Sequence, residues 1–314
     1  MNETCAPELA RPAAAPDGVV LLDKPVGLSS NTALQKVKRL FGARKAGHTG
    51  SLDPLASGLL PICLGQATRF SGYLLDAPKG YEVRGQLGAR TATGDAEGEV
   101  VETCAWEHVG QEAFEHALAA FRGPIRQVPP MYSALKQGGE RLYRKARRGE
   151  EVERPAREIE IYRLELRDWQ PPGFSFQVDC SKGTYVRTLV EDVAAAAGSC
   201  GHVTALRRVR AGPFEAAGMH TFEELDELAA RGPAALAAVV LAPDAALPDL
   251  PALALPAGDV RRLRCGQELE GVAGERPGPV RAYGPEGFIG VAERDAAGKV
   301  RARRLLSTAD EQLR

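Results

Sequence analysis

The most informative segment of this chain is short, polar and rich in glycine: Lys45-Ala46-Gly47-His48-Thr49-Gly50-Ser51-Leu52-Asp53-Pro54-Leu55-Ala56-Ser57-Gly58. Glycines let a backbone turn tightly and approach a ligand closely. The residue order is not that of a phosphate-binding P-loop, so a nucleoside triphosphate site is not indicated. Pro54 disfavours the helical conformation at Asp53 and holds that carboxylate on an extended backbone. An Asp-Pro pair alone is typical of a turn, so its meaning depends on the rest of the chain.

The sequence on either side of this segment predicts a mixture of strands and helices. Apolar runs and alternating patterns predict strands at Val19–Leu22, Leu59–Leu64, Tyr81–Leu87, Arg157–Trp169, Phe174–Cys180 and Val203–Arg210. Helical spacing predicts a helix capped by Ser29 or Ser30 and ended by Gly42, and further helices at Ala67–Leu75, Gln111–Arg122 and Thr184–Ala197. Lys45–Gly58 itself is predicted to be a loop. Strands and helices do not alternate strictly, and Pro171-Pro172-Gly173 predicts a hairpin, so an α+β fold is favoured over a doubly wound one.

Composition divides the chain into three parts. Residues 1–17 combine alanine, proline and acids and are predicted to be a disordered tail. Residues 18–245 form the predicted main domain. The spaced prolines of Leu241–Pro256 indicate a linker, and residues 252–314, with their short β-like runs, are predicted to be a small separate β domain.

Charge and cysteine content narrow the class of protein. The 314 residues carry a formal net charge of −1, yet the basic residues fall in four runs, near Lys36–Lys45, Arg141–Arg148, Arg207–Arg210 and Arg301–Arg304. This clustering favours a polyanion-binding surface. The six cysteines include no C-x-x-C pair, so we expect reduced thiols rather than a zinc site. Neither a signal peptide nor a membrane span is indicated, which favours the cytoplasm.

Four further segments accompany the Asp53 segment in a distinctive order. They are Leu22-Asp23-Lys24-Pro25-Val26-Gly27-Leu28-Ser29-Ser30, Lys79-Gly80-Tyr81, Gln127 to Lys136 with Leu142-Tyr143 and Ala146-Arg147, and Cys180 to Leu189 with Leu206-Arg207-Arg208. Together the five segments resemble the TruB family of tRNA pseudouridine synthases, and the region from about Leu253 resembles a PUA domain. Ser29 and Ser57 stand where threonine is common in the family, and each keeps the hydroxyl.

The resemblance implies a fold, a reaction and a partner. The fold is the pseudouridine synthase fold, a mixed and largely antiparallel sheet with flanking helices, followed by a small PUA-like β-barrel. The reaction isomerises a flipped-out uridine at position 55, in the TΨC loop of tRNA, without a metal or other cofactor. The implied partner is tRNA, contacted at the T-arm and acceptor stem, with no guide RNA and no membrane. We expect a monomer.

The resemblance also implies roles for individual residues. Asp53 is the nucleophile, and Arg187 is its ionic partner, which we expect to keep the pKa of the carboxyl low. Tyr81 stacks on the uracil and takes part in proton removal. The other implied substrate or RNA contacts are His48, Tyr185, Leu206, Lys24, Pro25, Lys182, Arg141, Arg144 and Arg147. Lys24 and Pro25 would support the Asp53 loop, and the arginines would contact phosphates.

Three alternatives remain open from the residues alone. The first is a non-catalytic RNA-binding or RNA-folding protein on the same scaffold. The second is a glycosidase that uses Asp53 and His48, although such chemistry usually needs a second carboxylate and the Asp53 segment offers none. The third is a guide-RNA-dependent pseudouridine synthase, which the short segments disfavour.

Overall fold

The computed structural model describes residues 16–271 and 276–308. Across them the strands are β1 (Gly18–Lys24), β2 (Ala46–His48), β3 (Ala56–Leu64), β4 (Lys79–Leu87), β5 (Ala89–Thr91), β6 (Val100–Thr103), β7 (Gly123–Gln127), β8 (Lys136–Gln137), β9 (Glu140–Arg141), β10 (Arg157–Gln170), β11 (Gly173–Cys180), β12 (Gly201–Ala211), β13 (Phe214–Glu215), β14 (Ala252–Ala254), β15 (Gly278–Gly284), β16 (Gly287–Arg294) and β17 (Val300–Leu305). The α-helices are α1 (Ser30–Leu40), α2 (Ser71–Asp76), α3 (Gln111–Ala120), α4 (Leu142–Arg147), α5 (Val186–Ala196), α6 (Phe222–Ala230), α7 (Pro233–Ala237) and α8 (Ala257–Arg264). None of these helices is long and apolar enough to cross a membrane.

A mixed sheet forms the centre of the molecule. Its strand order is β1-β3-β12-β4-β11-β10-β7, with β2 paired to β3 and β13 paired to β12. Neighbouring strands are antiparallel except β3 and β12. Helices α1, α3, α5 and α6 bury their apolar sides against the sheet in one large core. The predicted α+β class is therefore confirmed, since a doubly wound fold would place parallel strands side by side.

Several predicted elements form for the expected reasons. The Ser29 hydroxyl accepts a hydrogen bond from the Thr32 backbone N–H at 3.1 Å, which caps α1. Ala33 and Val37 of α1 are fully buried, as helical spacing predicts. The hairpin is also confirmed, since β10 and β11 pair antiparallel on either side of their turn.

Two local predictions are wrong. The segment predicted as a loop contains β2, which pairs with the last residues of β3. β12 pairs only with the first three residues of β3, so the remainder of that edge is open to β2. The helix predicted at Ala67–Leu75 is a 3₁₀ turn, Gly65–Arg69, followed by α2. Phe70 lies between them and is fully buried in a second core, which interrupts the helix.

Not every cysteine is a free thiol, which corrects the sequence-based prediction. Cys104 and Cys200 form a disulfide with their Cα atoms 5.7 Å apart. Gly88 brings them together, because its N–H donates to the Cys200 carbonyl and its carbonyl accepts from the Cys104 N–H. Cys63 and Cys180 are free and buried, and Cys265 is free and exposed. Cys5 lies outside the described residues.

The C-terminal region folds as a small β domain, as predicted. Its sheet has the order β14-β15-β16-β17, with β14 and β15 parallel and the other pairs antiparallel. It has its own core, but Val291 and Phe288 also pack with Phe70 of the main domain. The predicted linker is packed rather than free, since Leu241 pairs with Val19 and Leu247 is buried. Of the predicted tail, residues 1–15 lie outside the described residues, while Asp17 accepts a hydrogen bond from the Gln66 N–H.

Candidate active site

A cleft of about 440 Å³ opens beside the Asp53 segment. Six structural parts build its wall: the turn after β2, Leu75 of α2, the face of β4, residues 133–135 before β8, the turn before α5 with the start of that helix, and β12. Of the residues implied by the family resemblance, the cleft is lined by Asp53, Tyr81, Lys182, Tyr185, Arg187 and Leu206. These side chains come from parts of the chain far apart in sequence, and the sheet brings them together.

Hydrogen bonds hold the loop that carries Asp53 against the segment around Lys24. Ser30 forms two hydrogen bonds with Leu52, accepting from its N–H at 2.7 Å and donating to its carbonyl at 2.9 Å. The Gly27 N–H donates to the Pro54 carbonyl at 2.8 Å. Lys24 is fully buried, and its ammonium donates to the carbonyls of Pro25 and Leu28. The two segments therefore form one rigid support under the carboxylate.

Arg187 is the direct partner of Asp53. Its Nη2 lies 3.0 Å from Asp53 Oδ2, with the arginine side chain 7% exposed and the aspartate 44% exposed. The guanidinium also donates to the carbonyls of Thr93 and Tyr132. These contacts orient the guanidinium, and through it the Asp53 carboxylate points toward the open cleft.

A second carboxylate, which the sequence did not indicate, lies on the other side of Arg187. Asp95 Oδ2 is 3.7 Å from Arg187 Nη1, and the Asp95 side chain is only 4% exposed. Its other oxygen accepts from the Thr93 hydroxyl and from the Glu97 N–H. Asp95 does not line the cleft. It is therefore placed to hold Arg187 rather than to act as the acid of a glycosidase.

The prediction that Arg187 keeps the pKa of Asp53 low is wrong. Removal from water raises the pKa of the carboxyl above its usual range, and the Arg187 charge offsets this only in part. The nearby charge of Asp95 raises the pKa further. Arg187 therefore limits an upward shift instead of producing a downward one.

The two tyrosines of the cleft are both neutral phenols. Burial raises the pKa of Tyr81, and the neighbouring Arg208 charge opposes that shift only in part. Burial also raises the pKa of Tyr185, whose backbone N–H and carbonyl are both bonded to the Gln127 side chain. A neutral Tyr81 has a ring for stacking and a hydroxyl for hydrogen bonding, which favours contact with a base over acceptance of a proton.

Residues 38–186 match the model of the TruB family pseudouridylate synthase N-terminal domain, residues 187–248 match a tRNA pseudouridylate synthase B C-terminal domain, and residues 251–306 match a pseudouridine synthase II TruB C-terminal domain. The tRNA pseudouridine synthase B of Chromohalobacter salexigens is 50% identical over 93% of this chain and 95% of its own length. The chain belongs to the TruB family. The enzyme of the same name from Pseudomonas aeruginosa is also 50% identical, over 92% of this chain and 95% of its own.

Solved structures support the fold independently. A chain of a Cbf5-Nop10-Gar1 complex superposes with a TM-score of 0.72 over 94% of this chain and 86% of its own, at 24% identity. A chain from a structure titled as an H/ACA RNP bound to a substrate RNA superposes with a TM-score of 0.71, at 22% identity, over 93% of this chain and 86% of its own. At this level of identity the likeness concerns the fold, which is that of a pseudouridine synthase.

The remaining residues implied by the TruB resemblance lie outside the cleft lining. His48 is in β2, and its Nδ1 is buried without a hydrogen-bond partner among the described residues. Burial and nearby arginines lower the pKa of His48, so the imidazole is neutral. Arg141, Arg144 and Arg147 are exposed on β9 and α4, while Pro25 is exposed beside the buried Lys24. Arg141 lies close enough to His48 for its charge to contribute to the shift in the pKa of that imidazole. His48 and the three arginines are called the rim residues below.

The arginines of the Arg207–Arg210 run differ in exposure and in their partners, which clustering in the sequence did not indicate. Arg207 is paired with Asp23 at 2.6 Å, and Arg210 with Asp179 at 2.9 Å. Arg208 is buried in the cleft wall. Each arginine of this run is thus engaged within the protein, so the run is not the free basic patch that clustering in sequence indicated, although Arg210 also lines a groove between the two domains.

Sequence reasoning assigned no role to three buried groups at the cleft: Asp95, Lys79 and Arg208. Burial lowers the pKa of Lys79 to about 8, and its ammonium donates to three carbonyls of the last turn of α2. Lys79 and Arg208 stand within the quoted motifs, so their positions were visible in the sequence. Their burial was not, because a charged residue in a single sequence is expected at the surface.

Proposed function

We propose that this chain isomerises uridine to pseudouridine at position 55, in the TΨC loop of tRNA, with Asp53 as the nucleophile. The observation that carries the proposal is the pairing of Asp53 with Arg187, at 3.0 Å, in the wall of a cleft of about 440 Å³. Relatives that are 50% identical across nearly their whole length carry the name tRNA pseudouridine synthase B. Binding alone gives no reason to hold a carboxylate at the cleft surface.

The residues around Asp53 suit the proposed chemistry. The reaction breaks the bond between uracil N1 and the sugar C1′, turns the base, and joins C5 to C1′. Asp53 carries the intermediate, so its carboxylate must be ionised and fixed in position. Arg187 and the support formed by Ser30 and Lys24 provide the fixed position. The enclosing wall keeps the detached base from escaping.

The target base must leave its stack to enter this cleft. Flipping a nucleotide out costs a few kcal/mol, and stacking on an aromatic ring returns roughly 1–3 kcal/mol per base. Tyr81 and Tyr185 offer rings inside the cleft, and Leu206 offers an apolar surface beside them. The neutral His48 at the rim would contact the T-loop and help to keep the base everted.

Contacts outside the cleft would position the tRNA. Arg141, Arg144 and Arg147 at the rim, and Lys182 in the cleft lining, supply positive charge for phosphates. A second groove, of about 890 Å³, lies between the two domains and has arginines on both sides, among them Arg69, Arg303 and Arg304. This groove suits the acceptor stem.

We expect the protein to act as a monomer in the cytoplasm, without a guide RNA.

Tritium release tests the proposal. A T-arm minihelix with 5-tritiated uridine at position 55 should release tritium to water and gain pseudouridine there when the protein alone is added. A minihelix with the label only at other uridines should release none. Release of free uracil would indicate a hydrolase, and a requirement for added guide RNA would indicate the guide-dependent class. Either result would contradict the proposal.

A further inference from the structure

Three buried cations in and behind the cleft wall have no ion-pair partner of their own among the described residues: Lys79 and Arg208 line the cleft, and Lys24 lies outside the lining, near Asp53. Lys24, Lys79 and Arg208 are 0%, 6% and 1% exposed. Each is held by backbone carbonyls, and among the described residues the ion pairs at the cleft are those of Arg187 with Asp53 and Asp95 and of Lys182 with Asp76. Carbonyl dipoles orient a cation but do not cancel its charge. The inner wall of the cleft is therefore positive.

Arg208 is the most deeply placed of the cations that line the cleft. Its Nε donates to the Leu59 carbonyl at 2.7 Å, and its Nη2 donates to the Gly50 carbonyl at 3.2 Å. The guanidinium also lies close enough to Tyr81 in the cleft lining for its charge to oppose the rise in the pKa of the Tyr81 hydroxyl. A Cβ at Gly50 would lie 3.4 Å from Arg208 Nη1, so the Gly50 backbone packs closely beside this nitrogen where Arg208 lines the cleft. Burial of a charge in such a fixed position costs free energy unless a negatively charged group pairs with it.

The proposed reaction supplies such a partner. When the bond between N1 and C1′ breaks, its electron pair stays with the uracil ring, and N1, O2 and O4 share the negative charge. If Asp53 instead bonds to the ring at C6, that carbon becomes tetrahedral, and the charge on N1 is shared with O2 only. The ring then forms the bond from C5 to C1′, the bond to Asp53 breaks and returns the free carboxylate, C5 loses its proton, and N1 gains one, so the isomerisation balances without an oxidant or reductant.

We infer that Arg208 stabilises the negative uracil between the two bond changes. This inference rests on the proposed function and assigns a residue that the motifs left without a role. Hydrogen-bond donors that are held in place and point at the atoms where negative charge develops stabilise the transition state strongly, because little water is present in such a site. They are among the largest contributions to catalysis. The depth of Arg208 and its proximity to Tyr81 match a base inside the cleft better than a phosphate at the rim.

The test uses Arg208→Met and Arg208→Lys in the full chain, with Arg207→Met as the matched control. Arg207 is the next residue on β12, faces the other side of the sheet and is paired with Asp23, so its loss changes the net charge equally. Single-turnover rates at saturating enzyme are measured on T-arm minihelices carrying uridine or 5-fluorouridine at position 55. Because 5-fluorouridine has no C5 proton to lose, both substrates are followed by the disappearance of the starting nucleoside from the digested RNA. We expect Arg208→Met to slow uridine by about 100-fold or more, Arg208→Lys to lose less, and Arg207→Met to keep the wild-type rate.

The two substrates separate the proposed role from a structural one. Fluorine withdraws electrons and stabilises the negative ring by itself, so the loss in each Arg208 variant should be smaller for 5-fluorouridine. The ratio of the two losses does not depend on how much of the variant is folded. Equal losses on both substrates would overturn the inference. So would a loss confined to RNA affinity, which would indicate a phosphate contact, and an inactive wild-type protein would instead count against the proposed function.

Discussion

Two opposing effects set the ionisation of Asp53. Burial raises the pKa of its carboxyl, and the charge of Arg187 lowers it again in part. A carboxylate is a nucleophile only when ionised, so activity is expected to fall as the pH drops through this raised pKa. Arg187 thus both orients the carboxylate and extends the pH range in which it is charged. Both tasks depend on the 3.0 Å contact between the two side chains.

Removal of the Arg187 charge should therefore move the acid side of the pH profile. Arg187→Met removes the main positive charge that lowers the pKa of Asp53, so this pKa rises further. The acid limb of the single-turnover rate therefore shifts to higher pH. In Arg187→Lys, which keeps a charge, the shift should be smaller. The measurement is the single-turnover rate from pH 5 to 9 at constant ionic strength. An acid limb that stays where it is in Arg187→Met would show that Asp53 does not control it.

At the scale of elements, α1 and the Asp53 loop form one unit. α1 begins at Ser30, whose hydroxyl is bonded to Leu52, and the preceding Ser29 caps the same helix. Two adjacent serines thus have different tasks, one local to the helix and one that connects the helix to the site. The sequence predicted a cap at Ser29 or Ser30, because capping is a local pattern. It did not predict the contact with Leu52, which is 22 residues away.

These two serines give a matched pair of variants. Ser30→Ala leaves the buried Leu52 N–H without its partner, which should cost about 1–3 kcal/mol of stability and lower the single-turnover rate because the Asp53 loop loosens. Ser29→Ala removes the cap and should cost about 1 kcal/mol with the rate unchanged. Thermal unfolding and single-turnover assays measure the two effects. Equal rates in the two variants would mean that the Leu52 contact does not position Asp53.

The distinction between local and distant contacts explains which predictions succeeded. The hairpin β10-β11 and the start of α1 follow from neighbouring residues and were predicted. β2 was missed because it forms only where β12 leaves the edge of β3 open, which no local pattern reports. The disulfide between Cys104 and Cys200 was missed because the two residues are 96 positions apart and only the sheet brings them together.

At the scale of the whole molecule, RNA binding and the bond changes are assigned to different parts of the protein. The rim arginines, the groove between the domains and the cleft itself offer contact over a large surface, whereas the proposed bond changes depend on one carboxylate. The second core joins the domains, because Phe70 and Phe288 pack at 5.4 Å between ring centres. The five quoted segments gave the family and the main cleft residues. They did not report which charged residues are buried, because that depends on packing between segments.

Asp53→Asn tests the central claim most directly, since it keeps the size of the side chain while removing its negative charge and its capacity to attack. The variant and the wild type are compared on one T-arm minihelix, by tritium release and by equilibrium binding. We expect tritium release to be lost and the dissociation constant to stay close to that of the wild type, because the RNA contacts lie elsewhere. Tritium release by Asp53→Asn at a rate near that of the wild type would contradict the assignment of Asp53 as the nucleophile.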